Sequence, residues 1–213
     1  NATKLEMNQL VIPEGVEEIN QYAFAFCRKL KAQVTLPSTI KKIGEWAFYG
    51  CPITSINLPE GLESLGSLAF WDCDLREVSI PSSCHEFNEG WQFGFNRNLE
   101  KMHLPEGMTE IPDHFAVDCF RLREVNFPHT LKHIGEKAFS LCISLKNVDL
   151  PLGMQSLGEE AFSELEALEQ IVFPASMKSL GKNSCSYWKN IKRIYCAAIE
   201  PPVCDPTDGG VFS

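Results

Sequence analysis

The chain has 213 residues, of which 44% are hydrophobic and 22% are charged, so it has enough apolar material to fold around a substantial core. Its net charge of −9 excludes the basic surface that duplex nucleic acid or an anionic membrane surface requires. No run of residues approaches the ~18 consecutive apolar positions of a membrane helix, so we expect a chain that does not span a membrane.

A proline that follows an apolar residue recurs along the chain with a period of about 23 residues. These prolines are Pro13, Pro37, Pro59, Pro81, Pro105, Pro128, Pro151 and Pro174, with spacings of 24, 22, 22, 24, 23, 23 and 23. Aligning the segments on the prolines also aligns their other residues into columns, which indicates an internal repeat. Each repeat is called a circuit below and is numbered by its proline, so that the fourth circuit contains Pro81.

Each circuit opens with a predicted strand that ends at the proline. Apolar residues stand three positions and one position before the proline, usually with a polar residue between them, as in Ile56-Asn57-Leu58 and Val148-Asp149-Leu150. This alternation is typical of a short, half-buried strand. Proline has no backbone N–H, so it suits the position at which the strand stops pairing.

The second half of each circuit combines an extended segment with a predicted helical turn. Apolar residues follow the proline by three and six positions, and a glycine often comes next, at Gly44, Gly66, Gly135, Gly158 and Gly181. We interpret this glycine as a point where the backbone bends. An Ala-Phe pair and then a cysteine recur, as in Ala47, Phe48 and Cys51, and this offset predicts one helical turn with its apolar side inward.

The predicted fold class is a repeat solenoid, because no single circuit can bury its own apolar face and stacked circuits can. We expect a leucine-rich-repeat horseshoe or a right-angled coil of short parallel strands, with helical turns and extended segments, at about 23 residues per repeat. A single array of eight full circuits and a partial ninth is predicted over residues 1–200. Residues 201–213 are predicted to be a C-terminal tail or the start of a further, truncated repeat.

The nine cysteines follow the same columns, and their odd number argues against a complete intramolecular disulfide framework. Eight of them occupy apolar columns and are predicted to be core residues, since buried cysteine behaves as a small hydrophobe. These eight are Cys27, Cys51, Cys73, Cys84, Cys119, Cys142, Cys185 and Cys196. Cys204 lies outside the pattern, and a disulfide between Cys196 and Cys204 is left open.

The repeated pattern Leu-x-x-Ile-x-Leu-Pro-x-Gly-Leu-x-x-Ile-Gly-x-x-Ala-Phe-x-x-Cys, seen in residues 145–151 and 40–51, resembles the BspA-type leucine-rich repeat of bacterial and some protist surface proteins. The resemblance covers about residues 5–200. It implies a non-enzymatic, extracellular or cell-surface protein that acts in adhesion to host proteins or to other cells. It implies no universal ligand and carries over no catalytic residue.

Polar side chains that alternate with the apolar strand columns face away from the core and are free to meet a partner. At the centre of the array these are Lys101, His103, Glu124, Asn126, Asn147 and Asp149. We predict that this strand face binds a protein or a glycan through many modest polar contacts. A solvated sheet face without any ligand has the same composition, and this alternative stays open.

The fourth circuit carries large residues where its neighbours carry small ones. Trp91 stands in its alanine column and Phe95 in its cysteine column. A second candidate site is therefore an aromatic patch formed by Trp46, Tyr49, Trp71, Trp91 and Phe93, since exposed aromatic side chains mark partner surfaces. The alternative is that Trp91 and Phe95 only repack a degenerate circuit in which Gln92 and Phe93 are shifted by one position.

No pattern of catalytic or metal-binding residues converges in the sequence. His129 and His133 are four residues apart but lack the accompanying carboxylate of a zinc motif, and neither a Cys-x-x-Cys nor a Gly-x-Ser-x-Gly motif occurs. We therefore predict no enzyme, no metal and no cofactor. The prediction is a monomeric, extracellular or cell-surface module that binds a protein or glycan; the alternative is a structural spacer within a longer surface protein.

Overall fold

The computed structural model of the chain describes residues 9–31, 33–204 and 210–212. Two ladders of short parallel strands run along it, and each circuit contributes to both except the seventh, which contributes only to the second. The first ladder holds the strands that precede the prolines: β1 (Gln9–Val11), β3 (Gln33–Thr35), β5 (Ser55–Asn57), β7 (Glu77–Ser79), β9 (Lys101–His103), β11 (Glu124–Asn126), β14 (Gln170–Phe173) and β16 (Arg193–Cys196). The second holds β2 (Glu18–Ile19), β4 (Lys42–Ile43), β6 (Ser64–Leu65), β8 (Glu86–Phe87), β10 (Glu110–Ile111), β12 (His133–Ile134), β13 (Ser156–Leu157), β15 (Ser179–Leu180) and β17 (Val203–Cys204).

Residues of the same column lie opposite one another in neighbouring circuits. Val34 pairs with Ile56 in the first ladder, and Ile43 pairs with Leu65 in the second, both in parallel. The predicted solenoid of parallel strands, with about 23 residues per turn, is therefore confirmed. Stacking turns each apolar column into a continuous buried row, which no isolated circuit could form.

The phenylalanine column forms the centre of the core. Phe48, Phe70 and Phe93 are fully buried and stack face to face, with ring centroids 5.4 Å and 5.5 Å apart. The stack ends in the fifth circuit, where the order of the pair is reversed to Phe115-Ala116 and the Phe115 ring meets Phe93 edge-on. Face-to-face stacking is thus continuous through the first four circuits, and it resumes between Phe139 and Phe162 in the sixth and seventh.

The predicted helical turn after the glycine column is wrong. The described part of the chain contains no helix, and each Ala-Phe segment is a run of turns with two left-handed residues, such as Trp46 with φ of 57° and Gly50 with φ of 65°. A positive φ cannot be part of a right-handed helix. Amide groups of these turns bond to the next circuit instead, as Phe48 N does to the carbonyl of Ala69 at 2.9 Å. The turns therefore form a third ladder of hydrogen bonds.

One additional residue within residues 88–90 changes the register of the fourth circuit. Gln92 takes the alanine column, because its carbonyl accepts the hydrogen bond from Phe70 N at 2.9 Å. Phe93 takes the phenylalanine column, and the buried Asn96 takes the cysteine column, where its Nδ2 donates to the carbonyl of Phe70 at 2.7 Å. The shift by one position is therefore the correct interpretation.

This register corrects the sequence prediction for three aromatic residues. Trp91 and Phe95 are not in core columns: they occupy the two left-handed columns, with φ of 64° and 58°, and both are partly exposed. Phe93 was predicted to belong to an exposed aromatic patch, and this is wrong because its side chain is fully buried against Phe70. The additional residue within residues 88–90 therefore changes which side chains of this turn face the core.

The glycine column is required for close contact between circuits rather than for bending. None of its five glycines has a positive φ. A Cβ placed on Gly158 would lie 2.6 Å from the backbone nitrogen of Glu136 in the preceding circuit, and Gly44 and Gly66 are equally confined. The Gly158 amide donates to the carbonyl of Ile134 at 2.8 Å. Only glycine lets the backbones approach closely enough for this bond.

The first ladder is interrupted in the seventh circuit, where residues 147–150 form no strand although their alternation predicts one. The side chains keep their predicted sides, with Val148 buried and Asp149 exposed. A small cavity of about 130 Å³ lies between this segment and β14. The side-chain pattern is thus retained where the backbone pairing is absent.

Part of residues 201–213, for which a tail or the start of a further repeat is predicted, continues the ninth circuit. β17 pairs with β15, and the buried Val211 accepts a hydrogen bond at its carbonyl from Cys185 N at 3.0 Å. The remaining residues of that segment, 205–209 and 213, lie outside the described residues. The second and third ladders therefore extend beyond residue 200.

The cysteine column satisfies buried carbonyl groups of the preceding circuit. Cys51 and Cys73 donate from Sγ to the carbonyls of Phe24 and Phe48 at 2.8 Å and 3.2 Å. Trp188 fills the same column in the eighth circuit and donates from Nε1 to the carbonyl of Phe162 at 2.7 Å. The column thus favours a residue that is apolar and carries a donor, which explains the frequent cysteine.

The prediction that eight cysteines are core residues is correct for six of them, and all nine thiols are free. Cys196 is exposed because β16 is the last strand of its ladder in the described chain, and Cys27 in the first circuit is half-buried. Burial raises the pKa of Cys51 to about 11 and that of Cys84 and Cys185 to about 12. These thiols are protonated near neutral pH and are therefore poor nucleophiles.

Thiol labelling should separate the cysteines by burial. In the folded protein at pH 8, iodoacetamide is expected to modify Cys196 and Cys204 rapidly, because both are exposed. The six buried cysteines should react only after unfolding in guanidinium chloride. Peptide mass spectrometry after timed labelling measures this, and modification of Cys119 as fast as that of Cys196 would contradict the burial pattern.

Candidate binding surfaces

The strand-face candidates of β9 and β11 bind mainly to one another and to a neighbouring strand. Lys101 Nζ lies 3.2 Å from Glu124 Oε2, directly across the pair of strands. His103 Nε2 lies 3.3 Å from Glu77 Oε1 on β7. These groups are largely exposed, so each pair contributes little to stability, about 0–1 kcal/mol. The surface is polar and its charges are largely paired within it.

Of the other three strand-face candidates, one is hydrogen-bonded to the backbone and two lie where the first ladder is interrupted. Asn126 accepts a hydrogen bond from Leu104 N at 2.9 Å and donates to the Leu104 carbonyl at 3.1 Å, so its amide group is engaged. Asn147 and Asp149 are exposed beside the small cavity of the seventh circuit. The six candidates thus share one side of the solenoid without forming a single site.

The turn ladder carries a second surface, which contains most of the predicted aromatic patch. Trp46, Trp71 and Trp91 are partly exposed, as is Tyr49. Together with four residues that were not assigned to the predicted patch, they form a surface that we call the aromatic face. It consists of Tyr22, Phe26, Trp46, Tyr49, Trp71, Trp91, Phe95 and His114.

The first part of the aromatic face lies on the first two circuits. Trp46 stacks on Tyr49 with centroids 4.2 Å apart, and Tyr22 and Phe26 contact these two rings at 5.7 Å and 5.1 Å. Tyr22 and Phe26 remain 53% and 55% exposed. Half of each of these two side chains is therefore available to a partner.

The second part extends over circuits three to five. Trp71 lies between Trp91 and Phe95, at 5.1 Å and 4.6 Å, and its ring covers Gly94, where a Cβ would lie 2.1 Å from it. Trp91 stacks on His114 with centroids 3.6 Å apart and ring planes 8° apart. Glycine at position 94 is thus needed to seat a tryptophan side chain.

His114 presents an uncharged ring at the edge of this cluster at neutral pH. Burial lowers its pKa, while the carboxylate of Glu136, 3.7 Å from Nε2, opposes the shift. The neutral imidazole stacks on Trp91 as an aromatic ring. Arg97 supplies a cation nearby, above the rings of Phe95 and Phe120 at 5.6 Å and 5.5 Å.

The four additional residues of the aromatic face could have been found from their columns. Tyr22 and His114 precede the alanine column, as Trp46 and Trp91 do, and Phe26 and Phe95 stand three residues after it. A predicted helical turn, however, does not show that both columns point outward. The left-handed backbone at each position decides this, and it is visible only in the structure.

No group of three or more His, Cys, Asp or Glu side chains within the described ranges is arranged to hold a metal ion. No helix in the parts of the chain that the structure describes is long and apolar enough to cross a membrane.

The repeat matches a known family over nearly the whole chain. The model of the BspA type leucine rich repeat region matches residues 2–115 and 113–199, in six copies. No curated protein matches the sequence.

Solved bacterial structures share the fold. A leucine-rich repeat protein from Bacteroides ovatus is 31% identical, with a TM-score of 0.79 over 90% of this chain and 52% of that one. A leucine-rich repeat protein of T. pallidum is 28% identical, with a TM-score of 0.68 over 76% of this chain and 78% of that one. A leucine rich cell surface protein from Faecalibacterium prausnitzii is 23% identical, with a TM-score of 0.60 over 90% and 60%. The chain thus spans about half the length of the B. ovatus protein.

Proposed function

The chain belongs to the BspA-type leucine-rich repeat family, and we propose that it is a non-enzymatic binding module of a cell-surface or secreted protein. Its partner is an extracellular protein or glycan, and its contact surface is the aromatic face. The family and the surface protein among the similar structures support this location. The observation that carries the proposal is the run of partly exposed rings over five neighbouring circuits.

The fold does not require aromatic residues at these positions. Outside the aromatic face, one aromatic residue, Tyr187, stands in the two left-handed columns, and the other positions hold residues that are not aromatic: Gly50, Leu68, Asp72, Asp118, Lys137, Leu141, Glu160, Glu164 and Asn183. A left-handed conformation costs a bulky residue about 1–3 kcal/mol, whereas glycine, asparagine and aspartate adopt it more readily. Since leucine, lysine and glutamate occupy the same columns at the same backbone cost, the fold does not select aromatic side chains there, and their exposed rings favour a role in binding.

Their chemistry suits recognition. Tryptophan and tyrosine offer large, rigid contact areas and dominate the binding energy of many protein interfaces. The strand face is a weaker candidate, because Lys101, His103 and Asn126 already have partners within the chain.

The test removes rings at positions where the replacement suits the backbone. In the double variant Trp46→Asn/Trp91→Asn, asparagine enters the column that already holds Asn183, so the fold and its thermal stability should be retained. Purified protein is screened against extracellular-matrix proteins and glycans. Any partner found should bind the double variant at least about tenfold more weakly. Glu160→Asn, in the same column, is the matched control and should bind normally.

A structural spacer is the second candidate, favoured by the three hydrogen-bonded ladders that make the array stiff. A folded protein that binds nothing in the screen would reject the binding module and favour the spacer. A partner that binds the double variant as tightly as the native chain would reject the aromatic face as the contact surface.

A further inference from the structure

The second ladder has a single interruption within the described chain, between β8 and β10. In other circuits the amide of the glycine column donates to the preceding circuit, as Gly66 N does to the Ile43 carbonyl and Gly135 N to the Ile111 carbonyl, both at 2.8 Å. In the fifth circuit Pro112 occupies this column and has no N–H. The corresponding carbonyl, of Phe87, accepts no backbone hydrogen bond from the described residues of the fifth circuit.

Other backbone groups at this interruption are also unpaired. The carbonyl of His85 accepts no bond from the fifth circuit, and the amides of Thr109 and Glu110 donate none to the fourth, within the described residues. The two circuits remain joined on their other sides, through β7 and β9 and through the bond from Trp91 N to the Asp113 carbonyl at 3.0 Å. The fourth and fifth circuits are therefore hydrogen-bonded to each other along the first ladder and along the turns, and they are separated only along the second ladder.

A cavity of about 580 Å³ lies at this interruption, and carboxylates surround it. Its lining includes Glu89, Glu106, Glu110 and Asp113 and contains neither lysine nor arginine. Glu106 pairs with His129, and Asp113 accepts a hydrogen bond from Glu136 N at 2.7 Å. The exposed side chains of Glu89 and Glu110 make no hydrogen bond or ion pair with described residues. We call this cavity the acidic groove.

We propose that the acidic groove binds an extended peptide segment that carries lysine or arginine. The unpaired carbonyl and amide groups along β8 and β10 are those that a strand uses for pairing, and an extended peptide presents matching groups. Alternate side chains of a strand point the same way, so basic residues spaced by two lie on one side of the peptide and can face the carboxylates of the groove. A volume of about 580 Å³ suits the part of a peptide that enters between two short strands.

Binding by strand pairing requires the amide groups of the peptide, whereas non-specific electrostatic attraction requires only its positive charge. Blocking the peptide amides therefore distinguishes the two. The probe is a fluorescein-labelled hexapeptide of alternating lysine and valine, and its affinity is measured by fluorescence anisotropy at fixed ionic strength. The same peptide with N-methylated valines keeps its charge but loses amide donors, and it should bind at least about tenfold more weakly. Equal affinity for both peptides would overturn the proposal.

The carboxylates are tested by a charge-matched pair of variants. Glu89→Gln/Glu110→Gln should bind the lysine–valine peptide about fivefold more weakly than the native chain. Glu159→Gln/Glu200→Gln removes the same charge at exposed positions outside the groove and should leave the affinity unchanged. Equal losses in both variants, or no binding to the native chain, would overturn the proposal. The test is independent of the aromatic face, because all of its residues remain in place.

Discussion

Phe70→Ala is expected to lower the free energy of unfolding by about 3–5 kcal/mol, as the removal of a buried phenylalanine does elsewhere. Phe70 is fully buried and stacks between Phe48 and Phe93, at 5.4 Å and 5.5 Å. The substitution removes contacts on both sides and leaves a cavity that the rigid ladders cannot close. Denaturant unfolding followed by circular dichroism measures the effect.

Two further variants make this result specific to the phenylalanine column. Phe24 is only partly buried and, among the described residues, stacks on Phe48 alone, so Phe24→Ala should cost about half as much. Ser79→Ala, on the exposed side of β7, should change stability by less than about 0.5 kcal/mol. Equal costs for Phe24→Ala and Phe70→Ala would show that stacking between circuits does not determine the stability of the core.

Gly158→Ala is expected to lower the free energy of unfolding by about 2–3 kcal/mol, although it adds one methyl group. That methyl carbon would lie 2.6 Å from the backbone of Gly135 and Glu136, so neighbouring circuits must move apart. The bond from Gly158 N to the carbonyl of Ile134 would lengthen in consequence.

A control for this variant lies five residues away in the same circuit. Gly153 has no positive φ, and a Cβ there would meet its nearest neighbour, the His129 carbonyl oxygen, at an ordinary 3.9 Å. Gly153→Ala should leave stability unchanged or raise it slightly, since alanine restricts the unfolded chain. Equal effects of the two substitutions in thermal and denaturant unfolding would contradict the close approach of the backbones.

Local spacing could predict the ladders but not the third side of the solenoid. The alternation around Ile56 and the position of Pro59 predict a strand and its end, because both properties depend on adjacent residues. The Ala-Phe-x-x-Cys spacing suits a helical turn equally well as the observed turns. Trp46 and Leu68 occupy left-handed positions without being glycine, so composition alone does not reveal them.

The two candidate surfaces also differ in how far the sequence could predict them. The outward side of each strand follows from its alternation, so Lys101 and Glu124 lie on the exposed face as predicted. Trp91 and Phe93 could not be assigned to a side, because one inserted residue reverses the assignment and the insertion can be placed at several points in residues 88–90. The stack of Phe93 on Phe70 decides between these alignments.

The sequence by itself determined the period of the repeat, the apolar columns, the solenoid of parallel strands and the family to which the chain belongs. Each of these depends on a pattern repeated eight times, so that one irregular circuit does not hide it. Only the tertiary structure decided why glycine precedes each turn, which aromatic rings face outward, and that a groove opens beside Pro112. These features depend on contacts between residues about 23 positions apart, and the distance between two circuits is set by backbone packing rather than by any local pattern.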